Sequence, residues 1–497
     1  MLATASSFTL DGIAARPVRV EADVHRGLPT FSIVGLPDTA VREARERVRA
    51  AIANCGFEFP QRRITVNLAP ASLRKEGPAL DLAIATALLA ASGQLPPEPL
   101  PRMPVVGELA LDGSVRGVAG ALAIAEEARA RGSEAVVVPG ANAPEAALAD
   151  GVEVLAVSSL TELPPLVRGE WRPSPPRPAR LVLEPNGSSP DLADLRGQRD
   201  LRAALEVAAA GGHSLLMVGP PGAGKSLAAR RLPSILPPLT REEALEVARI
   251  ASACIEPNPP PAGRPFRAPH HTISAAGLVG GGNPPRPGEV TRAHRGVLFL
   301  DELCEFARDS LEALRAPLES GSVSISRSGP QRRLPCRFML VGAANPCPCG
   351  RGESSPDCNC GPADVRRYSG RLSGALADRI DILVALSQPG AEEIAGGPGE
   401  SSASVRDRVA LARERQARRL GAGRCNGEMT PQEARSCAAS PAALALLAET
   451  YSRDGLSGRA HDRALRLAQT VADLAGASEI GEAAMAQALH LRRREVR

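Results

Sequence analysis

A glycine-rich segment that follows an apolar run places the strongest constraint on how this chain folds. The segment is GPPGAGKS, residues 219–226, and it fits the pattern G-x-x-x-x-G-K-[ST]. The preceding HSLLMV predicts a buried strand, and the following SLAARRL predicts a helix. Backbone N–H groups of such a loop surround phosphate oxygens at the helix N-terminus. The segment therefore predicts an α/β unit that binds a nucleotide.

Lys225 in this segment is one of only two lysines, the other being Lys75, in a chain whose Lys+Arg total is 59. A compact ammonium group fits beside the β- and γ-phosphates, where the planar guanidinium of arginine does not. The next residue, Ser226, is expected to bind Mg²⁺ through its hydroxyl. The retained lysine therefore supports a phosphate-contacting role at this position.

A second apolar strand is predicted by GVLFLDE at residues 296–302, and it ends in two acidic residues. Asp301 is expected to hold Mg²⁺ through water, and Glu302 is expected to polarise the water that attacks ATP. The alternative is a core strand that ends in a solvated acidic turn, and the presence of both motifs in this order disfavours it. The predicted nucleotide contacts are Gly219, Pro220, Pro221, Gly222, Ala223, Gly224, Lys225, Ser226 and Asp301.

The net charge of +4 and the aromatic content of 2% limit how the chain binds nucleic acid. A weak net charge means that any basic surface is local, and so few aromatic rings argue against a surface that stacks bases. The N-terminal segment lacks the pattern of a signal peptide, and the apolar run at residues 79–93 is too short to span a bilayer. The sequence predicts a cytoplasmic protein with reduced thiols and no membrane partner.

Alternating strand-like and helix-like patterns divide the chain into three predicted regions and a linker. Residues 1–165 predict an α/β domain, and residues 166–192, rich in Pro, Arg and Ser, predict the linker. Residues 193–385 predict a second α/β unit, which contains both nucleotide motifs. Residues 386–497 predict a helical region.

Four cysteines crowd into the second unit with the spacing C-x-C-x₈-C-x-C. They are Cys347, Cys349, Cys358 and Cys360. Four thiolates suit a closed tetrahedral zinc site, although C-x-C is tighter than the common C-x₂-C spacing. The alternative is four reduced thiols in an ordered loop. We expect a structural zinc ion, since a closed site leaves no position for a substrate.

Several segments resemble the AAA+ ATPases and, more closely, the magnesium-chelatase-like group that includes ComM and YifB. The resemblance covers nearly the whole chain, and the string PHHT…GGG…RPGE is far more specific than the nucleotide loop. It implies a P-loop AAA+ α/β core with a C-terminal α-helical lid, ATP and Mg²⁺ as cofactors, and a ring that the family suggests is a homo-hexamer. The segments are FRAPHHTISAAGLVGGGNPPRPGE (266–289), AHRGVLFLDELCEF (293–306), NPCPCG (345–350), RLSGALADRIDI (371–382) and LSGRAHDRALRLAQTVADL (456–474).

The resemblance also implies roles for single residues. Asn345, at the end of RFMLVGAAN, is similar to the sensor-one residue that positions the attacking water. Arg379 in LADRID is similar to an arginine finger, which reaches the ATP of a neighbouring subunit and stabilises transition-state charge. Arg459 in SGRA is similar to the sensor-two arginine of the lid, with Arg463 as the competing choice. Cys304 departs from the family, which usually has Pro there.

The first domain resembles the proteolytic domain of Lon, but the catalytic positions differ. The serine position of Lon falls on Ala79, and its lysine position falls near Leu122. A Ser-Lys dyad needs a hydroxyl and an amine within hydrogen-bond reach. Ser72 beside Lys75 is a weak alternative nucleophile. We therefore expect a catalytically inactive domain that serves oligomerisation or partner binding, and no protease activity.

The segment at residues 319–340 predicts a hairpin that leads into the strand before Asn345. It resembles the pre-sensor hairpin that projects into the channel of related ring helicases. Arg327, Arg332 and Arg333 are then expected to contact a DNA backbone without sequence preference. The preceding pair His270 and His271 is expected to have a packing or channel role, because no third metal ligand is evident.

Three functions remain open at this point. The favoured one is an ATP-dependent DNA motor, a helicase or branch-migration translocase that acts in recombination, with integration of DNA during natural transformation as its setting. The second is a magnesium-chelatase-type motor subunit. The third is a protein-remodelling ATPase or a scaffold, but residues 264–295 lack a good aromatic–hydrophobic–Gly pulling loop.

Overall fold

The computed structural model forms two compact units, each with its own apolar core. The first unit comprises Met1–Leu181, Ala244–Pro261 and Asn283–Arg286, and the second comprises Val182–Glu243, Ala262–Gly282 and Pro287–Arg497. The residues that the structure describes are 1–183, 190–254, 263–282, 286–325, 332–352, 357–371, 374–454 and 457–492.

The first unit combines a four-stranded sheet with helices and short strand pairs. Its strands are β1 (Leu2–Asp11), β2 (Ala14–His25), β3 (Thr30–Val34), β4 (Arg63–Ala69), β5 (Glu108–Leu109), β6 (Val115–Arg116), β7 (Ala135–Pro139) and β8 (Glu153–Val157). Its helices are α1 (Thr39–Asn54), α2 (Asp81–Ala91), α3 (Ala121–Ala130), α4 (Ala143–Ala146) and α5 (Leu163–Val167). Single 3₁₀ turns lie at Pro78–Leu80, Gly140–Asn142 and Leu160–Glu162.

The main sheet of this unit has the order β1-β2-β4-β3, in which only β3 and β4 run parallel. Every residue of α2 is buried, as its almost uniformly apolar sequence requires. The sequence predicts α1, α2, α3, β4, β7 and the β5–β6 hairpin, but it does not reveal the long β1–β2 hairpin. The inward positions of β1 include Ser7 and Thr9, so small and hydroxylated side chains hide its period-two pattern.

Lys75 lies in the interior of the first unit, with none of its surface exposed. Its Nζ donates a hydrogen bond to the Gly35 carbonyl at 3.0 Å and another to the Pro70 carbonyl. Burial lowers the pKa of this ammonium group, because a low-dielectric surrounding disfavours charge. Lys75 therefore joins two loops through backbone oxygens, which does not support a dyad with Ser72.

We expect Lys75→Met to destabilise the protein by about 1–3 kcal/mol, because it removes two hydrogen bonds made by a side chain with no exposed surface. Arg74→Met is the matched control, since the neighbouring Arg74 side chain is 49% exposed. The control should change the unfolding free energy by no more than about 0.5 kcal/mol. Thermal and urea unfolding of the full chain measure both effects. Equal unfolding midpoints for the two variants would contradict this account of Lys75.

The second unit is built on a parallel sheet and a set of C-terminal helices. Its strands are β9 (Leu215–Val218), β10 (Phe266–Arg267), β11 (Gly280–Gly281), β12 (Arg286–Pro287), β13 (Val297–Leu300), β14 (Ser322–Ile325), β15 (Arg332–Pro335), β16 (Met339–Ala344) and β17 (Ile382–Ala385). Its helices up to the end of the sheet are α6 (Arg199–Gly211), α7 (Lys225–Ile235), α8 (Arg241–Ala253, which continues into the first unit), α9 (Ala275–Val279), α10 (Glu289–Arg292), α11 (Arg308–Ala313), α12 (Arg315–Ser320), α13 (Pro362–Ser369) and α14 (Gly374–Ala377).

The remaining helices are α15 (Ala391–Ala395), α16 (Ser402–Leu420), α17 (Pro431–Arg435), α18 (Pro441–Asp454), α19 (Gly458–Ala475) and α20 (Glu482–His490). Further 3₁₀ turns lie at Leu192–Asp194, Leu303–Glu305 and Asn426–Glu428. The predicted helical C-terminal region is thus confirmed. Among the described residues, no helix has both the length and the apolar character needed to cross a bilayer.

The parallel sheet has the strand order β10-β13-β16-β9-β17. All four neighbouring pairs run parallel, so the carboxyl ends of the strands share one edge. β9, β13 and β16 consist of buried residues throughout, as expected of strands covered on both faces. One apolar core contains these strands together with α6, α16, α19 and α20.

Candidate nucleotide-binding site

The sheet order brings three of the predicted catalytic residues, Lys225, Glu302 and Asn345, to a single edge. β16 lies between β9 and β13, and each strand ends in one part of the site. Gly219 follows β9, Asn345 follows β16, and Asp301 follows β13. Because parallel strands end at the same edge, Asn345 lies between the glycine loop and the acidic pair.

The glycine loop joins β9 to α7, and Lys225 is the first residue of that helix. Gly222 and Gly224 have φ angles of 82° and 88°, which other residues rarely adopt. A Cβ atom on Gly219 would lie 2.7 Å from the Leu386 carbonyl oxygen, so the strand-to-loop turn also requires glycine. Ala223 is buried below the loop.

The ammonium group of Lys225 lies inside the loop and donates to three oxygens. They are the Gly219 carbonyl, the Pro220 carbonyl at 3.0 Å and Asn345 Oδ1 at 3.1 Å. Burial lowers the pKa of Lys225, and the negative charge of Asp301 opposes this shift. A phosphate placed at the loop would supply the counter-charge that these neutral oxygens lack.

Ser226 and Asp301 face each other, with Ser226 Oγ donating to Asp301 Oδ2 over 2.7 Å. A hydroxyl and a carboxylate at this separation form the donor set that holds Mg²⁺ beside a nucleotide. Asp301 Oδ1 also accepts the Glu302 backbone N–H at 3.0 Å. Glu302 has a left-handed φ of 51°, and its side chain is 56% exposed, so the carboxylate projects into the open site.

His271, for which the sequence analysis expects a packing or channel role, lies beside Glu302 at this site. Its Nδ1 lies 3.4 Å from Glu302 Oε2, and its ring lies against those of His270 and Phe306. The imidazole therefore orients the carboxylate that is expected to polarise water. Because the contact links residues far apart in the chain, only the fold reveals it.

Arg379 and Arg459 lie at the other edge of the sheet. Ser214 directly precedes β9, and its Oγ donates to the Arg379 carbonyl at 2.6 Å. The four residues of β9 lie between Ser214 and Gly219, so five residue steps separate these two points, a distance of about 16 Å at the usual strand rise. Arg459 and Arg463 line the same cavity as Arg379, which has a volume of about 740 Å³. These arginines therefore face away from the nucleotide loop of their own chain.

Asp381 anchors the arginines at this edge. Burial opposes its ionisation, but His213, Arg463 and Arg492 outweigh burial and lower its pKa to about 2. His213 also bonds to the Thr470 hydroxyl at 2.8 Å, which connects the sheet to α19. The carboxylate therefore stays charged and holds α19 at the amino edge of the sheet.

The four cysteines meet in the loop that follows Asn345, and all four Sγ atoms lie within 4.8 Å of one another. The Cys347–Cys349, Cys349–Cys358 and Cys347–Cys358 Sγ distances are 3.3, 3.6 and 3.8 Å. A tetrahedral zinc ion with Zn–S bonds of about 2.3 Å would space its sulfurs by about 3.8 Å. Cys347 Sγ also accepts the Gly352 N–H at 3.3 Å. The donor set fits zinc with no further ligand position.

The cysteine loop packs directly on the nucleotide site. A Cβ atom on Gly350 would lie 3.1 Å from the Pro221 ring of the glycine loop. Beyond the last cysteine, α13 carries Tyr368, whose hydroxyl bonds to the Asn345 backbone and to the Cys304 thiol. Burial is the main cause that raises the pKa of Tyr368. A metal in the cysteine loop would therefore stabilise the position of Asn345 both through the glycine loop and through Tyr368.

The predicted hairpin is confirmed, with β14 and β15 paired antiparallel from Ser322–Pro335 to Ile325–Arg332. Arg327 lies outside the described residues. Arg333 Nε donates to Ser322 Oγ at 2.8 Å on the opposite strand. Arg332 begins β15 at a half-buried position.

The basic helix α16 is mostly engaged within its own unit. Arg408 forms ion pairs with Glu206 and Glu400, and Arg413 and Arg419 contact the Ala209 carbonyl and the Asp473 carboxylate. These contacts favour packing over a DNA-binding role for that segment.

Comparisons with known proteins give a consistent family assignment. Three family models match: magnesium chelatase subunit ChlI over residues 191–394, subunit ChlI of Mg-chelatase over 20–142, and the ChlI C-terminal part over 399–492. A protein named YifB from Escherichia coli is 44% identical over 468 residues, which cover 93% of this chain and 91% of that protein. The competence protein ComM of Haemophilus influenzae is 41% identical over 493 residues, covering 97% and 95%. The 38 kDa magnesium-chelatase subunit of Rhodobacter capsulatus is 31% identical over 173 residues, covering 30% and 48%.

We expect the purified protein to contain about one zinc ion per chain, because its four thiols form one closed site. Cys358→Ser should lower the zinc content and also the turnover of ATP, since the loop positions Asn345. Cys437→Ser is the control, a half-buried cysteine remote in sequence from the cluster. Elemental analysis and ATP hydrolysis assays measure the two effects. A zinc content in Cys358→Ser equal to that of the control would contradict the site.

Proposed function

Because the chain belongs to the ComM/YifB family of magnesium-chelatase-like AAA+ proteins, we propose that it is a ring-shaped, ATP-dependent DNA motor. In this proposal the protein acts as a helicase or branch-migration translocase in DNA recombination. Integration of DNA during natural transformation is the setting, in line with the name of the competence protein among its relatives. The assembly is a homo-hexamer.

ATP hydrolysis is assigned to the carboxyl edge of the sheet. Lys225 binds the β- and γ-phosphates, Ser226 and Asp301 hold Mg²⁺, and Glu302 activates water that Asn345 helps to position. The contacts that Lys225 makes with Asn345 and that Ser226 makes with Asp301 support these roles. They hold the parts in place before a nucleotide arrives, which reduces the ordering cost of binding.

The observation that carries the proposal is the separation of the arginines from their own nucleotide loop. Arg379 and Arg459 lie at the amino edge of the sheet, one strand length from Gly219. An arginine there stabilises transition-state charge only if the ATP belongs to a neighbouring subunit. Head-to-tail contacts of this kind close into a ring when the rotation between neighbouring subunits completes a full turn. A ring with a central channel is the architecture that a translocating motor needs.

DNA contact is assigned to the β14–β15 hairpin, which lies in the sequence between β13, the strand before Asp301, and β16, the strand before Asn345. Arg332 and Arg333 on β15 support phosphate contacts, and Arg327, which lies outside the described residues, is proposed as a DNA contact from the sequence alone. Such contacts are independent of sequence and sensitive to salt. A change at Asp301 or Asn345 would then move the hairpin through the chain segments that connect it to β13 and β16.

The first unit is assigned a scaffold role, as a Lon-like domain that has lost its catalytic pair. Ala79 lies in the turn that precedes α2, and Leu122 is a buried residue of α3. Neither position offers a nucleophile or a base. Zinc in the four-cysteine loop is assigned a structural role.

A magnesium-chelatase-type motor is the second candidate, because the matching family models describe a chelatase subunit. The similarity to a chelatase subunit itself covers only 30% of this chain, whereas similarity to the competence protein covers 97%. The extent of similarity therefore favours the DNA motor.

We expect Lys225→Ala and Arg379→Ala each to reduce ATP turnover by about 10³-fold or more. Mixing the two inactive proteins should restore turnover, since about a quarter of the interfaces in a random ring pair an intact Lys225 with an intact Arg379. The control mixture combines Lys225→Ala with Glu302→Gln, in which every site carries a defect. If ATP turnover recovers in neither mixture, the proposal that Arg379 acts between subunits is wrong.

We also expect forked or four-way DNA to stimulate ATP hydrolysis and to be unwound, more strongly at low than at moderate salt. Arg332→Ala combined with Arg333→Ala should weaken DNA binding. It should also reduce the slope of the logarithm of the binding constant against the logarithm of the salt concentration by about 2, one unit per lost phosphate contact. Arg418→Ala is the control, a 78% exposed arginine on α16. Turnover that is indifferent to DNA would contradict the motor and favour a protein or chelatase partner.

A further inference from the structure

The predicted arginine finger is held by a carboxylate that directly precedes the hairpin. Arg379 Nη2 donates to Glu319 Oε1, and the two form an ion pair. Glu319 lies in the last turn of α12, and its side chain is 59% exposed, whereas that of Arg379 is only 11% exposed. In this position the guanidinium is covered rather than presented to a neighbouring subunit.

The backbone of Arg379 is fixed independently of its side chain. Its N–H donates to the Leu376 carbonyl at 2.8 Å, and its carbonyl accepts from Ser214 Oγ at 2.6 Å. The Arg379 side chain is therefore able to move while its backbone and the sheet stay in place. The ion pair with Glu319 helps to hold the side chain in its observed position.

Hydrogen bonds connect the turn that follows Glu319 to the hairpin. Gly321 ends α12 with a left-handed φ of 60°, and β14 begins at the next residue. Ser320 Oγ donates to the Ser322 carbonyl at 2.7 Å, and Arg333 Nε donates to Ser322 Oγ at 2.8 Å. A pull on Arg333 is thus passed through Ser322 to the turn that carries Glu319.

We propose that Glu319 is a positioning residue that restrains Arg379 until the hairpin binds DNA. This inference rests on the proposed function, since it assigns the coupling between DNA contact and ATP hydrolysis within the same motor. A DNA phosphate binds Arg333 and moves it together with Ser322, the end of α12 shifts, and Arg379 exchanges Glu319 for the phosphate of the neighbour's ATP.

The strength of the ion pair suits a reversible restraint. The Glu319 carboxylate is 59% exposed, so solvent screens its attraction for Arg379 and keeps the restraint weak. The several negative charges of a nucleoside triphosphate compete successfully with this single carboxylate. Glu319 therefore slows hydrolysis in the absence of DNA without blocking it.

The test compares ATP turnover by assembled Glu319→Gln and wild-type protein, with and without DNA. Glu319→Gln should raise DNA-free turnover by about fivefold, the factor that about 1 kcal/mol represents, and leave the KM for ATP unchanged. The stimulation by DNA should fall by the same factor. Glu312→Gln is the control, because Glu312 pairs with Arg315 at 2.7 Å in the same helical segment.

A double variant separates restraint from a general structural effect. Glu319→Gln in an Arg379→Ala background should give no increase, because the restrained side chain is absent. Equal DNA-free turnover in Glu319→Gln and Glu312→Gln, or an increase that persists without Arg379, would overturn the proposal. If wild-type turnover ignores DNA while Glu319→Gln is faster, the restraint stands and the DNA motor falls.

Discussion

The contact between Lys225 and Asn345 depends on the order of strands in the second unit, and the nucleotide site depends on that contact. An ammonium group in a glycine loop needs oxygens around it, and two of its three acceptors belong to the loop itself. The third reaches it because β16 lies beside β9. The same neighbour relation places Asp301 one strand further along. Binding of phosphate is thereby connected to the strand that continues into the cysteine loop.

Much of this site follows from sequence because its chemistry is local. The glycine loop, the acidic pair and the four-cysteine spacing each lie within a short segment, and each requires particular residue types. The hairpin and the C-terminal helices follow from periodicity. The contact of His271 with Glu302 and that of Glu319 with Arg379 join residues far apart in the chain, so no spacing rule reveals them. The β1–β2 hairpin is hidden for another reason, since its inward side chains are small and partly polar.

Two layers of support surround Asn345. On one side the cysteine loop returns to the glycine loop at Gly350, and on the other α13 brings Tyr368 to the Asn345 backbone. Cys304, which departs from the usual family residue, also contacts Tyr368 and is buried. The thiol at this position is therefore part of the support around Asn345. A small shift of the cysteine loop would therefore be felt at Asn345.

The two lysines share one chemical setting, an ammonium group enclosed by backbone carbonyl oxygens. Their scarcity has a practical consequence. Among side chains, amine-selective reagents have only these two targets in the whole sequence. Lys75 is sealed from solvent, whereas Lys225 is partly accessible. Acylation of the native protein is thus directed to the glycine loop and the chain's own amino terminus. The extent to which such a reagent modifies Lys225 would therefore report whether the glycine loop is occupied.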